Sequence, residues 1–319
     1  MLAYQKFKPD SAPVLRTCPM PLPAAGQVRL RIAACGLNFA DLLMITGDYQ
    51  DTPEPPFTLG MEVAGTVDAV GTDVRDFVPG DRVAVFAGSG GLAAFGCFDA
   101  THCMRIPDSM PMQDAAAFQI AYGTSHLALG HRARLTADET LLVLGAAGGV
   151  GLTAVEIGKL MGARVIAVAR GADKLATARR MGADHLIDSD HQDIREEVLA
   201  LGGADVVYDP VGGDQFTAAL RACRPEARIL TIGFASGTVP QIPANILLVK
   251  NITAVGFYWG GYLKFAPEVL RDSLAGLLDW YQDGRIRPHI SHVMPLDRVE
   301  EAFDLMRTRA STGKIVVTP

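Results

Sequence analysis

Three glycines at intervals of three residues, Gly145, Gly148 and Gly151, form the motif in this sequence that most clearly indicates chemistry. An apolar run precedes them and an amphipathic pattern follows, which predicts a strand, a tight turn and a helix. Such a turn directs backbone N–H groups, here including those of Gly149 and Val150, and the positive end of a helix dipole at a phosphate. The alternative is a glycine-rich turn between two core elements. Because the flanks match on both sides, the motif favours binding of a dinucleotide.

The residues that follow the second strand of such a fold distinguish the two nicotinamide dinucleotides. A site for NAD carries an Asp or Glu there, about 20 residues after the glycines, to bind the adenosine ribose. This chain has Arg170 at that position, with Lys174 close behind it. A guanidinium and an ammonium attract a 2′-phosphate that a carboxylate would repel. The alternative is that both are solvated residues at a strand end and a helix start, but a cation near a helix N-terminus is mildly unfavourable. We therefore expect NADPH as the cofactor.

The second half of the sequence alternates between strand and helix patterns. Strands are predicted at 141–144, 164–168, 185–187, 205–208, 228–232 and 252–258, with helices after the glycines and at 173–181, 194–201 and 215–223. This alternation predicts a parallel, doubly wound sheet whose ligand crevice lies at the carboxyl ends of the strands. The tail adds a helix over 267–281, a helix that begins at Asp297 and is capped with Glu300, and a strand over 314–317.

The first 117 residues have the pattern of a β-rich domain. Short strands at 28–32, 63–70 and 82–86 are separated by glycine and proline turns, which suggests a compact barrel. One helical insertion, 38–46, runs into a loop at 47–56. The sequence therefore predicts an α/β protein of two domains.

Composition excludes several classes of function. The formal charge of -6 argues against nucleic-acid or anionic-membrane partners, and the five cysteines contain no CxxC pair. The first ten residues lack the apolar core of a signal peptide, and no uncharged segment is long enough to span a bilayer. We expect a soluble cytoplasmic protein with a small-molecule substrate.

Seven segments of the chain carry a family resemblance. They are AACGLNFADLLM (33–44), PFTLGMEVAGTVDAVG (56–71), GDRVAVF (80–86), LVLGAAGGVGLTAVEIGKLMGARVIAVAR (142–170), GADHLID (182–188), VVYDPVGG (206–213) and GKIVV (313–317). Together they resemble the medium-chain dehydrogenase/reductase superfamily and, within it, the zinc-independent quinone oxidoreductase or zeta-crystallin-like branch. The resemblance covers essentially the whole chain in order.

This resemblance implies a domain organisation. Residues 1–117 are expected to form a GroES-like β-barrel domain that residues 262–319 complete. Residues 118–261 are expected to form a Rossmann domain, a doubly wound parallel sheet that binds NADPH. The family also implies a homodimer joined through the last Rossmann strand, and the apolar run 252–258 suits such an edge.

The residues at the metal positions depart from the zinc-containing relatives. By resemblance, those relatives ligate zinc with a Cys where this chain has Asn38 and with a His where it has Met61. Near Ile120, at the third position, there is no cysteine, and the lobe for a structural zinc is absent. An amide and a thioether do not hold Zn²⁺. The pair His289 and His292 is expected to serve the surface or packing, so no metal is predicted.

Two residues of the first domain are candidate catalytic groups by resemblance. Asn38 is expected to face the nicotinamide ribose and the substrate, although Asn also serves readily as a helix N-cap, and both roles are compatible. Tyr49 matches a proton-donating tyrosine of enoyl-thioester reductases, and a phenol can protonate or hydrogen-bond a developing enolate. The alternative for Tyr49 is packing against the other domain. Turn and strand-end roles are expected for three aspartates, Asp41, Asp188 and Asp209.

Further cofactor contacts follow from the same resemblance. Thr124 matches a position that lines the nicotinamide pocket. Gly233, Phe234 and Phe257, at the ends of the fifth and sixth strands, match backbone contacts to the nicotinamide end. Arg309 matches a C-terminal arginine that reaches the cofactor in some quinone reductases, and the alternative is an ordinary cation in a last helical turn.

Without a metal, the expected substrates are those that spread incoming charge over a conjugated system. The sequence therefore predicts an NADPH-dependent, zinc-independent reductase of quinones or α,β-unsaturated carbonyls, by direct hydride transfer. One alternative is an enoyl-thioester reductase acting on acyl-CoA or acyl-carrier substrates, which Tyr49 favours, although no basic cluster for a CoA phosphate stands out. An alternative of another class is a non-catalytic NADPH-binding, crystallin-like protein.

Overall fold

A computed structural model describes residues 1–319 and shows sixteen strands and eleven α-helices. In chain order the strands are β1 Leu2–Lys6, β2 Val14–Thr17, β3 Gln27–Gly36, β4 Phe57–Thr58, β5 Glu62–Val70, β6 Arg82–Phe86, β7 Phe95–Asp99, β8 Cys103–Arg105, β9 Thr140–Val143, β10 Arg164–Ala169, β11 His185–Asp188, β12 Ala204–Asp209, β13 Cys223–Thr231, β14 Thr253–Gly256, β15 Ile290–Pro295 and β16 Lys314–Thr318. The helices are α1 Phe39–Thr46, α2 Met112–Ala116, α3 Gln119–His126, α4 Gly149–Leu160, α5 Ala172–Arg180, α6 Ile194–Ala200, α7 Gly213–Ala222, α8 Ala244–Lys250, α9 Tyr262–Phe265, α10 Pro267–Gln282 and α11 Val299–Arg307. None of these helices combines the length and the apolar character needed to cross a bilayer.

Two compact units divide the chain. The first contains Met1–Ile120 and Pro288–Pro319, and the second contains Ala121–Arg287. In the first unit β1 pairs with β2 and β4, while a larger sheet has the order β15-β16-β3-β5-β6-β8, with β7 also paired to β3. Alternate residues of β3 are buried, which is the period of a strand with one face on a core. This unit is β-rich, as the sequence predicts.

The second unit is built on six parallel strands in the order β11-β10-β9-β12-β13-β14. All four residues of β9 are buried, as expected for a central strand covered on both faces. The chain order reverses between β9 and β12, and such a point opens a crevice at the carboxyl ends of the strands. The prediction of a doubly wound parallel sheet is confirmed.

The second unit extends further along the chain than the predicted boundary at residue 261. The added segment contains α10, where Ser273 lies 2.8 Å from Nδ1 of His126 and Trp280 packs edge-on against the same imidazole. The main chain of Arg287 is bonded to Glu156 of α4. These contacts fasten residues 262–287 to the second unit. The amphipathic pattern of α10 predicts a helix with one buried face but does not indicate to which of the two units the helix belongs.

The predicted cap at Asp297 is wrong. Asp297 lies inside a 3-10 turn, Leu296–Arg298, so that α11 begins at Val299, and no side chain caps this end. The carboxylate of Glu300 accepts a hydrogen bond from the hydroxyl of Tyr4 instead of turning back to the helix start. A long-range partner therefore replaced the local one that the sequence spacing suggested.

Candidate active site

The glycine turn lies between β9 and α4, where the strand order reverses. Gly145 has a φ of +57°, a left-handed conformation that costs a glycine little. On either side of it, the amide of Leu144 donates to the carbonyl of Tyr208 at 3.0 Å and that of Ala146 donates to Val168 at 2.9 Å. The turn is thereby tied to both strands that flank β9.

The N-terminus of α4 has the features of an anion site. Gly148 is its N-cap and is exposed, while Gly149 and Val150 are half-buried. The first amides of a helix have no acceptor within the helix, and they lie at the positive end of its dipole. Gly151 packs so closely on the turn that a Cβ there would overlap the carbonyl oxygen of Gly145. The third glycine therefore serves close packing, and the amides before it remain available to a ligand.

A buried serine hydroxyl is hydrogen-bonded to the first turn of this helix. Ser125 of α3 donates to the carbonyl of Val150 at 3.0 Å, and its Oγ lies 2.7 Å from Oγ1 of Thr153 and 3.1 Å from the hydroxyl of Tyr208. Burial raises the pKa of the Tyr208 hydroxyl, which therefore stays neutral. Thr124, the residue before Ser125, is also buried, at 7% exposure. The network joins α3, α4 and β12 beside the glycine turn.

Arg170 and Lys174 lie at the carboxyl end of β10 and in the first turn of α5. The Arg170 side chain is 52% exposed, and its Nε lies 3.8 Å from the carboxylate of Asp190, which is a loose ion pair. Asp188, at the end of β11, accepts from the amides of Gly171 and Asp190, and these bonds lower its pKa. Asp188 therefore closes a turn, as predicted, and the guanidinium of Arg170 is accessible at this edge of the sheet.

Asp209 closes the corresponding turn at the end of β12. Its carboxylate accepts from the amide of Val211 at 2.7 Å and from that of Gly212 at 2.9 Å. Burial raises the pKa of Asp209 to about 6, against the lowering effect of these two bonds. The predicted turn role of Asp209 is confirmed by this geometry.

The carboxyl ends of the remaining strands carry the other predicted residues of the second unit. Gly233 and Phe234 follow β13, and Phe257 follows β14. Phe234 is 37% exposed, whereas Phe257 is 8% exposed. Because β9, β13 and β14 run parallel in one sheet, these residues lie at the same edge as Gly145.

A buried polar cluster in the first unit surrounds the start of α1. We define the Asn38 cluster as Asn38, Asp41, Glu62 and Lys314. The ammonium of Lys314 donates to Oε1 of Glu62 at 2.5 Å and to Oδ1 of Asn38 at 2.7 Å. The side-chain nitrogen of Asn38, Nδ2, donates to the same Glu62 oxygen at 3.1 Å. Lys314 is 5% exposed and Glu62 is 1% exposed, so the ion pair is desolvated and fixes the Asn38 carboxamide in one orientation.

Asp41 ties this cluster to the helix and to the loop before β5. Its carboxylate accepts a hydrogen bond from the main-chain N–H of Asn38 at 2.8 Å and one from the main-chain N–H of Gly60 at 3.2 Å. Burial raises the pKa of Asp41 to about 7, while the bond from Asn38 and the charge of Lys314 lower it. Asn38 is the N-cap residue of α1 and Asp41 is the third residue of the helix, so Asp41 completes a helix cap and does not have the turn or strand-end role expected from the sequence.

Tyr49 and Arg309 are the other predicted residues in the first unit. Tyr49 is half-buried in the loop after α1, and its carbonyl accepts from the amide and hydroxyl of Thr52. Arg309 directly follows the C-cap of α11 with a φ of +57°, where it ends the helix. The roles of Asn38, Tyr49 and Arg309 toward a cofactor and substrate stay predictions.

Comparison with known proteins decides the family. The model for the alcohol dehydrogenase GroES-like domain matches residues 24–108, and that for zinc-binding dehydrogenases matches residues 149–279. The quinone oxidoreductase-like protein 2 homolog of Nematostella vectensis is 42% identical over 297 residues, which cover 91% of this chain and 81% of the relative. The chain belongs to the medium-chain dehydrogenase/reductase superfamily. Its place is in the zinc-independent quinone oxidoreductase branch, and the predicted resemblance and fold class are confirmed.

Solved structures of this superfamily have the same fold. The quinone oxidoreductase of Thermus thermophilus, solved also in complex with NADPH, matches with a TM-score of 0.89 at 32% identity, over all of both chains. That of Escherichia coli, solved with NADPH, matches with a TM-score of 0.90 at 26% identity, over 100% of this chain and 99% of the relative. This chain is accordingly an oxidoreductase of the superfamily.

The donor groups at the superfamily's metal position do not suit zinc. Met61 is buried, and the carboxamide oxygen of Asn38 already accepts from the Lys314 ammonium. The Glu62 carboxylate is neutralised by the same ammonium. No group of three or more His, Cys, Asp and Glu side chains in residues 1–319 is arranged to hold a metal ion.

Sequence reasoning missed Glu62 and Lys314 as site residues, although both lie in segments that carry the family resemblance. The available signal was a single charged residue at the start of an apolar strand, in MEVAG and in KIVV. A charge at such a position needs a buried partner, because an unpaired buried charge is costly. The identity of the partner was not readable, because the two residues are 252 positions apart.

Glu156 of α4 is a second titratable residue that sequence reasoning missed. It accepts a hydrogen bond from the hydroxyl of Tyr122 at 2.6 Å and one from the amide of Arg287 at 3.1 Å. Burial raises the pKa of this carboxyl group to about 7, although both bonds lower it. Tyr122 and Arg287 lie next to the two points where the chain passes from one unit to the other.

The raised pKa of Glu156 predicts a pH-dependent stability contribution. The folded chain binds this proton more tightly than the unfolded chain, so the contribution is present below pH 4.5 and is lost as the pH rises through about 7. We expect the unfolding free energy of wild type relative to Glu156→Gln to fall by up to about 3 kcal/mol across this range. Chemical denaturation at a series of pH values measures it. The exposed Glu196→Gln is the control, and a pH-independent difference for Glu156→Gln would contradict the assignment.

Proposed function

We propose that this protein is an NADPH-dependent reductase that transfers hydride to quinones or to alkenes conjugated with a carbonyl group, without a metal. The observation that carries the proposal is the start of α4. Amides of Gly149 and Val150 lie there without helical acceptors, at the point where the order of the parallel strands reverses. A diphosphate fits this position because Gly148 is exposed and has no Cβ.

Preference for NADPH is supported by the cations at the next strand end. Arg170 is half exposed and only loosely paired to Asp190, so a 2′-phosphate can compete for its guanidinium. Lys174 lies one helical turn further along. The NADPH complexes of the Thermus thermophilus and Escherichia coli quinone oxidoreductases support the same choice.

Hydride transfer to a conjugated acceptor suits the groups that the chain offers. When bound, NADPH supplies the hydride from C4 of its nicotinamide ring. The chain's own task is then to hold the acceptor, exclude water and stabilise the developing oxygen charge. We propose that Asn38 orients the ribose and substrate and that Tyr49 donates a hydrogen bond or a proton to the developing enolate. Arg309 is proposed to contact the cofactor.

A parallel pair of assays tests the function. The protein is mixed with NADPH and 1,4-benzoquinone, or with NADPH and crotonyl-CoA, while the absorbance of the reduced nicotinamide is followed. We expect consumption of NADPH with benzoquinone and slower consumption or none with the thioester. Faster turnover of crotonyl-CoA would replace the proposal by an enoyl-thioester reductase, the alternative that Tyr49 favours. Tight NADPH binding with no consumption by either acceptor would favour a binding protein.

We also infer a homodimer joined through β14. This strand is the last in its sheet and leaves one row of backbone groups unpaired. Leu248 and Val249, on the helix just before it, are 77% and 76% exposed. A second copy paired along β14 would cover both features. Light scattering in solution tests this inference, and a monomer mass would contradict it.

A further inference from the structure

Two buried lysines contact opposite ends of the same short helix in the first unit. Lys314 is 5% exposed, and its ammonium donates to the side chain of Asn38, the N-cap of α1. Lys6 is 2% exposed, and its ammonium donates to the main-chain carbonyl of Ile45 in the last turn of α1. Each end of α1 is therefore held by one ammonium group from a strand, β16 or β1.

The helix between these lysines is short and only partly buried. An isolated helix of its length, eight residues, is not stable in water. Only Asp41 and Met44 are fully buried, and Phe39 is 42% exposed. Apolar packing through Met44 and the partly buried Leu42 and Leu43 therefore acts together with the polar contacts at the two ends of α1 to set the position of the helix.

The charges suit the two ends of the helix. Carbonyl groups of the last turn lack helical donors, so a cation at Ile45 satisfies one of them and complements the negative end of the dipole. At the start of α1, the Asp41 carboxylate accepts from the amide of Asn38, which complements the positive end. Lys314 reaches that end through the Asn38 side chain and is itself compensated by Glu62.

Both residues that we assign to the substrate side are attached to α1. Asn38 begins the helix, and Tyr49 follows its last residue by three positions. We propose that Lys314 and Lys6 are positioning residues of the reductase, with Lys314 setting Asn38 and Lys6 setting the helix end from which Tyr49 extends. This inference rests on the proposed function, because it assumes that Asn38 and Tyr49 act on the substrate.

Methionine substitutions test each lysine, because methionine keeps the length of the side chain and removes its charge. We expect Lys314→Met and Lys6→Met each to lower kcat with benzoquinone by about tenfold or more, since small displacements of reacting groups are costly. The Kd for NADPH should change by less than about twofold in Lys6→Met, whereas Lys314→Met should raise it no more than Asn38→Ala does, because Lys314 acts on the ribose only through Asn38. Lys8→Met, an exposed lysine two positions from Lys6, is the matched control and should retain full activity.

Double-mutant cycles separate positioning from a general loss of structure. Lys314→Met should add little to the kcat loss of Asn38→Ala, and Lys6→Met should add little to that of Tyr49→Phe. The crossed pairs, Lys314 with Tyr49 and Lys6 with Asn38, should instead multiply their losses. If the kcat losses of the two single variants multiply in both matched pairs, or if kcat is unchanged in both lysine variants, the proposal is overturned.

Further variants and a hydrogen-exchange measurement distinguish a loss of positioning from misfolding and from failure of the proposed function. Because Lys314→Met leaves the Glu62 carboxylate buried without its cation, the cycle is repeated with Glu62→Gln in the background, and Lys314→Arg should restore part of the activity. Amide hydrogen exchange of α1 should accelerate in both methionine variants. If the wild-type protein reduces neither acceptor, the proposed function fails. The hydrogen-exchange measurement still shows in that case whether the two lysines anchor α1. Unchanged exchange refutes the anchoring itself.

Discussion

Gly151→Ala is expected to lower the free energy of unfolding by about 3 kcal/mol and to abolish measurable NADPH binding. A Cβ at this position would overlap the carbonyl oxygen of Gly145 and would lie 2.9 Å from Cα of Ala146. Main-chain atoms cannot turn away as a side chain can. The start of α4 must therefore move away from β9, and the amides of Gly149 and Val150 move with it.

Two alanine substitutions serve as controls for this loss. At Gly148 a Cβ would make only an ordinary contact, 3.4 Å from the carbonyl oxygen of Gly145, so Gly148→Ala should fold with nearly wild-type stability. It should nevertheless weaken NADPH, because the methyl group projects where the diphosphate is proposed to lie. At Gly276, within α10, no atom lies within 4 Å, and alanine should stabilise the helix by about 1 kcal/mol. Denaturation and calorimetric titration measure both quantities. Tight NADPH binding by Gly151→Ala would contradict the assigned site.

Arg170→Glu is expected to lower the affinity for NADPH about a hundredfold while changing the affinity for NADH by less than about threefold. The substitution replaces an attractive guanidinium by a carboxylate that repels the 2′-phosphate. NADH carries a ribose hydroxyl at that position, which a carboxylate accepts as a hydrogen-bond donor. The selectivity between the two dinucleotides should therefore fall or reverse. Titration of both dinucleotides at one fixed ionic strength measures the change.

Arg195→Glu provides the matched control for Arg170→Glu. Arg195 is an exposed residue of α6 in the same unit, and its substitution changes the net charge by the same amount. We expect it to change both affinities by similar and small factors, since a solvent-exposed charge that does not contact the 2′-phosphate is largely screened by water and salt. Equal losses of NADPH and NADH in Arg170→Glu would remove Arg170 from the 2′-phosphate site.

The parts of the fold that sequence predicted well are those with local signals. Apolar runs in β9 and β10, alternation in β3 and the glycine turn each fall within a few neighbouring residues, and their elements lie where the patterns placed them. The family resemblance supplied the order of the domains. The start of α11 was mispredicted because its decisive contact, between Tyr4 and Glu300, joins residues 296 positions apart.

The candidate site divides along the same line. The amides at the start of α4 and the cation at Arg170 could be read from spacing, because a strand, a turn and a helix follow one another in sequence. The Asn38 cluster could not, because Glu62 and Lys314 meet only when β5 and β16 enter the same sheet. The raised pKa of Asp41 depends on burial, which the local pattern NFADLLM does not reveal.

Calorimetric titration of the wild-type protein, first with NADPH and then with NADH, tests the central claim most directly. The claim is that amides at the start of α4 bind a dinucleotide diphosphate and that Arg170 and Lys174 select the phosphorylated form. We predict one NADPH per chain, bound at least about tenfold more tightly than NADH. Absence of heat with NADPH, or equal affinity for the two dinucleotides, would contradict it.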